Sequence, residues 1–146
     1  MLYQLAEFKN LINESYEHLL KIPAKESEIP IAEGKWSRKE IIGHLIDSVS
    51  NNHQRIVRTL LVSNLAFPAY EQEKWVKIQH YQGEDWEVLI NLWKNYNLHL
   101  LHVISIIPED GLNKLCKVGD KAPITLLFLI EDYINHLKHH LGQILY

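Results

Sequence analysis

The sequence predicts an all-α protein, a four-helix bundle with a long connection between its second and third helices. Three observations predict it. Apolar residues recur at spacings of three and four over four segments of about 20 residues. All five prolines fall between those segments or at their edges. No alternating run of the kind a half-buried strand needs is longer than a few residues.

In the first segment Leu2, Leu5, Phe8, Ile12, Tyr16, Leu19 and Leu20 form one apolar stripe, and Pro23 ends it. The connector to Trp36 holds Pro23, Pro30, Gly34 and several charges. Ser37, followed three residues later by Glu40, is a capping box that opens a second helix running to about Asn64. Residues 65 to 83, LAFPAYEQEKWVKIQHYQG, show no sustained period and contain Pro68 and Gly83. A connection of that length inside a compact domain is usually functional, a lid or the wall of a pocket. A third helix is predicted from about Glu84 to Ile107, with Trp86, Leu89, Ile90, Trp93, Tyr96, Leu100, Ile104 and Ile107 facing inward and Pro108 as its stop. PEDGLNKLCKVGDKAP then reads as loop. The last helix is expected to start near Pro123, a residue well suited to a first turn, and to run to the end of the chain.

With 146 residues, 47% hydrophobic and 23% charged, the chain is expected to form one soluble domain over residues 1–146. No apolar run reaches the roughly 20 residues that span a bilayer, and the N-terminal stretch has no signal-peptide pattern, so a cytoplasmic location and no membrane partner are expected. A net charge of -3 without a basic stripe argues against nucleic acid. The single cysteine, Cys116, has no partner for a disulfide, which fits a reducing compartment and a partly buried loop residue.

The informative positions are polar ones beside the core stripes. On the last helix Thr125, Leu129, Asp132, His136, His140 and Gln143 share one narrow stripe, next to apolar Leu126, Ile130, Leu137, Leu141 and Ile144. His139 falls on its outer shoulder. On the second helix Ile41, His44, Ser48, Asn51, Arg55 and Thr59 group in the same way, flanked by Ile42, Leu45, Val49, Ile56 and Leu60. If these seams face the core, their polar groups need hydrogen bonds, water or a metal; the alternative is that they face solvent.

His136 and His140 are spaced so that two imidazoles lie one turn apart and can converge on one ion. A third ligand must come from another helix, and His44, on an inner seam, is the natural candidate. Three histidines leave coordination positions open for water or substrate, as in catalytic sites. Asp132, one turn before His136, and Asp47, three residues after His44, are spaced to accept the second ring N–H of a ligating histidine. His99 and His102 on the third helix are a competing pair, read as solvent-side or dimer-contact residues.

With KWSRKEIIGHLIDS, NNHQRIVR, the WVKIQHY connector and DYINHLKHHLGQI in hand, the sequence resembles the DinB-like superfamily, which includes the YfiT-type metal-dependent hydrolases, over nearly its whole length. The resemblance implies a bundle, often homodimeric, in which His44, His136 and His140 hold a divalent metal and His139 is a non-ligand. It also implies chemistry on a small-molecule substrate, either hydrolysis or transfer of a low-molecular-weight thiol to an electrophile. Zinc or nickel is the expected ion, with iron, manganese and copper as alternatives. The ion would activate water or a thiol. Arg55 and Asn51 on the His44 seam, with Tyr70 and Trp75 from the connector, are the expected substrate-binding residues. A core-edge salt bridge is the competing role for Arg55, and plain packing the competing role for the aromatics. A non-enzymatic small-ligand or stress-response dimer with a metal-stabilised pocket is the alternative function.

Overall fold

The computed structural model describes residues 1–145. In chain order it contains α1 (Leu2–Leu20), α2 (Ala24–Ser27), α3 (Arg38–Leu61), β1 (Leu65–Phe67), α4 (Gln72–Gln79), α5 (Trp86–Ser105), β2 (Leu115–Val118), β3 (Ile124–Thr125) and α6 (Leu126–Leu145). Short 3-10 turns cover Tyr81–Gly83 and Glu109–Asn113. The four long helices form a bundle. α1 and α3 each pack against both α5 and α6, which puts α1 and α3 at opposite corners and α6 directly beside α3.

The apolar stripes meet in one core. Phe8 and Ile12 of α1, Ile42, Leu45 and Ile56 of α3, Leu89, Trp93 and Leu100 of α5, and Leu126, Ile130 and Leu137 of α6 are all at most 1% exposed. Each such side chain contributes on the order of 1.5–3 kcal/mol through burial. The expected capping box is present: the Ser37 hydroxyl accepts from the Glu40 N–H and the Glu40 carboxylate accepts from the Ser37 N–H.

Three boundaries differ from the sequence reading. Residues 65–83 are not structureless, because Gln72–Gln79 form α4; eight residues are too few to register as a period in an 11–18-residue window. Val62 turns to extended backbone and ends α3 at Leu61, so that β1 can pair in parallel with β2. β3 pairs antiparallel with β2, placing Ile124 opposite Cys116 and Thr125 opposite Leu115. Pro123 therefore precedes a strand rather than opening a helix, and the Thr125 hydroxyl accepts from the Phe128 N–H at the start of α6. No strand was expected, since two to four residues are too short to show alternation.

The two long connectors are tied to the start of α3. Lys39, only 4% exposed, donates to the Glu28 carboxylate at 3.1 Å and to the Gln82 carbonyl at 3.2 Å. The Ser37 hydroxyl donates to Gln82 Oε1 at 2.7 Å, and Trp86 Nε1 donates to the Ile22 carbonyl. The ring of Tyr81 lies against α3 at Gly43, where an added Cβ would come within 2.1 Å of it. A glycine inside a helix costs about 1 kcal/mol relative to alanine. Here it lets the connector approach the helix one residue from His44.

Candidate metal centre

His44 is fully buried on α3, and His136 and His140 are half-buried on the adjacent α6. Their Nε2 atoms converge: His44 to His136 is 3.3 Å and His140 to His136 is 3.1 Å. Ligands about 2.0–2.1 Å from a tetrahedral ion stand roughly 3.3 Å apart, so this spacing fits an ion at their centre. No other group of three His, Cys, Asp or Glu side chains meets that closely among the described residues.

Burial keeps these rings neutral. It lowers the pKa of His44 to about 3, with His140 and His136 adding to the effect. His136 falls to about 4 through burial and His140, opposed by the negative charge of Asp132. His140 is lowered by burial and raised by its bond to Gln143. Neutral imidazole is the form that binds a metal.

His140 Nδ1 lies 2.9 Å from Gln143 Oε1, which can only accept, so Nδ1 carries the hydrogen and the Nε2 lone pair faces the cluster. The Trp36 ring covers His44 at a centroid distance of 5.1 Å. Beside it an open cleft of about 230 Å³ reaches His140, lined also by Ile31, Ile41, Glu73 and Gln143.

The sequence matches the DinB superfamily over residues 7–144. The chain belongs to the DinB superfamily. Among its superfamily relatives is the "Putative metal-dependent hydrolase" of Bacillus cereus strain AH820, 21% identical over 140 residues that span 96% of this chain and 80% of that protein. The protein of the same description from Bacillus cereus strain ZK / E33L is 24% identical over 142 residues, with the same coverage. YfiT from Bacillus subtilis, described as a probable metal-dependent hydrolase with an unusual four-helix bundle topology, superimposes with a TM-score of 0.84 at 19% identity, covering 99% of this chain and 85% of YfiT. The mycothiol-dependent maleylpyruvate isomerase superimposes with a TM-score of 0.77 at 13% identity, covering 98% of this chain and 60% of the isomerase. These likenesses establish the shared fold.

Around the histidines of this DinB superfamily chain, several side chains stand differently from the spacing argument. Asp47 is buried, but its Oδ1 accepts from the Tyr81 hydroxyl at 2.6 Å and from Gln79 Nε2 at 2.9 Å, not from His44. Both His44 Nδ1 and Asp47 Oδ2 are buried without a hydrogen-bond partner among the described residues. Asp132 is exposed, where water can solvate its carboxylate, and it acts on His136 only through its charge. Asn51 turns back on its own helix, donating to the Asp47 carbonyl at 2.8 Å. Tyr70 lies against Trp75, with ring centroids 4.9 Å apart, and faces Arg55. Trp75 is 38% exposed. His139 is exposed beside His140. His99 and His102 are exposed on α5, with His99 next to His53 rather than in the cluster.

Trp36 was not singled out as a wall of the site. It directly precedes the capping Ser37, and Ile41 stands at the fourth helical position, the spacing of a hydrophobic staple; both residues line the cleft. Gln79 and Glu73 carried no signal, because only the fold of α4 brings them to the bundle.

Proposed function

We propose that this DinB superfamily protein is a metal-dependent enzyme acting on a small molecule, a hydrolase or a thiol (S-)transferase, whose divalent ion is held by His44, His136 and His140. The observation that carries this reading is the convergence of three buried or half-buried imidazoles, with His136 Nε2 3.3 Å from His44 Nε2 and 3.1 Å from His140 Nε2 and all three ligand atoms within 4.8 Å of one another, in rings that burial keeps unprotonated. A bound zinc or nickel ion would supply Lewis acidity, lowering the pKa of a water or thiol so that it is a nucleophile at neutral pH.

The chain's own groups prepare that chemistry. Gln143 holds His140 in the tautomer that presents Nε2 to the centre. Trp36 covers His44 and keeps water from its side of the cluster. The cleft beside His140 gives a small reactant access to that histidine, past the Glu73 carboxylate. The metal-dependent hydrolase descriptions of the Bacillus relatives support the reading, and the thiol-dependent isomerase with the same fold supports the transferase branch.

The test begins with elemental analysis of the purified protein, for which about one equivalent of a divalent ion is expected, falling below about a tenth in His136→Ala. Turnover of a thiol with an epoxide or chlorinated aromatic, or hydrolysis of a small ester, should then be lost in the same variant. Less than about a tenth of an equivalent in the wild type, unchanged in His44→Ala/His140→Ala, sinks the proposal. Tight ligand binding without turnover would favour the non-enzymatic binding dimer.

A further inference from the structure

Arg55 is 8% exposed, yet no carboxylate among the described residues pairs with it. The ion pairs among the described residues are Arg38–Glu26, Lys39–Glu28, Lys74–Glu71 and Lys138–Glu7, all elsewhere. Among the described residues its five N–H donors find no acceptor, and the Tyr70 ring lies 5.9 Å from the guanidinium carbon. The groups that influence it most, Tyr70 and Cys116, both have their pKa raised by burial and are neutral at pH 7. Asp47, the buried carboxylate three residues after His44, has its Oδ1 engaged by Tyr81 and Gln79 rather than by Arg55. A nearly buried, unpaired cation is costly, and proteins normally pair it or replace it.

Arg55 follows His44 by eleven residues, which returns it to within about 20° of the same helix face, roughly 16 Å further along the axis. Helical side chains lean toward the N-terminus, here toward the histidines. Tyr70 interacts with both Arg55 and Asp47, so polar groups run along the seam from one site to the other. We propose that Arg55, roofed by Tyr70, is a carboxylate-binding subsite that holds the acid end of an elongated small-molecule substrate while its other end reacts at the histidine cluster. This assignment rests on the reading of His44, His136 and His140 as the reaction centre. A carboxylate is the matching class because one planar guanidinium balances one negative charge in a bidentate fork.

The test uses the full chain, metal-free, in a buffer without oxyanions, with adipate and inorganic phosphate as probes. Adipate should raise the Tm of the wild type and of His44→Ala/His140→Ala alike, so that failure of the metal site and failure of this subsite read separately. Arg55→Met should be at least as stable as the wild type without adipate and gain nothing from it. Arg55→Lys, which keeps the charge but not the fork, should bind adipate about tenfold more weakly by calorimetry. The proposal is overturned if Arg55→Met loses stability in the anion-free buffer while adipate protects it undiminished. It is equally overturned if Arg55→Lys binds adipate as tightly as the wild type, or if phosphate binds and adipate does not, which would assign a free inorganic anion instead.

Discussion

His44, His136 and His140 meet between α3 and α6, whereas His53, His99 and His102 spread over the surface where α3 and α5 pack. Each group takes one histidine from α3 and two from a second long helix, one turn apart. In the first, the Nε2 atoms of His44 and His140 stand 3.3 Å and 3.1 Å from that of His136. In the second, the His53 and His99 centroids stand 5.2 Å apart, those of His99 and His102 stand 6.4 Å apart, and His53 Nδ1 is taken by the Tyr96 hydroxyl. Helical spacing aligns two rings in either case. What makes the first group a candidate centre is a third ring on the buried face of a neighbouring helix, in surroundings that suppress its protonation.

The largest contrast is expected from single deletions. His44→Ala should weaken divalent-ion binding at least about tenfold, measured by competition with a chromogenic chelator, while His53→Ala leaves it unchanged. Equal losses in the two variants would erase the distinction between the groups. Gln143→Leu removes the acceptor that orients His140 and should weaken the ion by about 10-fold or more; unaltered affinity would show that α6 packing alone holds the ring.

The close approach at Gly43 belongs to the first group alone. Gly43→Ala drives a methyl into the Tyr81 ring and should cost roughly 1–3 kcal/mol in denaturant unfolding. A neutral result would mean that Tyr81 can move off α3 at no cost.

The smallest and most discriminating effect is in pH. With a folded pKa of about 3 against 6.5 unfolded, His44 stays neutral where the unfolded chain takes up a proton. The metal-free protein should therefore lose stability as pH falls below about 6.5, continuing toward the folded value. His44→Asn should flatten that slope more than His53→Asn, because His53 is lowered by a shallower burial and by His99. Thermal unfolding at pH 7, 6 and 5 checks this, and equal slopes in the two variants would contradict it.

Much of the bundle was legible because its punctuation is local. Pro23, the Ser37–Glu40 box and Pro108 act on neighbours within a turn or two, and each stands at a helix edge. The α3 seam was legible too, since a period of 3.6 residues reports which positions share a face: His44, Ser48, Arg55 and Thr59 are indeed buried. Less could be read where elements are short or partners distant. β1 pairs with β2 across some fifty residues of sequence, β3 is two residues long, and α4 is about two turns long. The support expected for His44 from Asp47 was a spacing argument, and spacing says nothing of Tyr81 and Gln79, which arrive from another element and take the carboxylate first. Gln143 supports His140 from three residues away, a contact local enough to have been read.

By itself the sequence determined where the long helices lie, which faces are apolar, and that His44, His136 and His140 stand on stripes beside the core. The tertiary structure alone decided that these rings meet, that Asp47 turns to the connector, and that Arg55 is buried without an acid among the described residues. The reason is physical. Periodicity and capping are set by interactions within a few residues, but ring convergence and the choice of a hydrogen-bond partner are competitions among groups that only the packing of α3 against α6 and the connectors brings within reach.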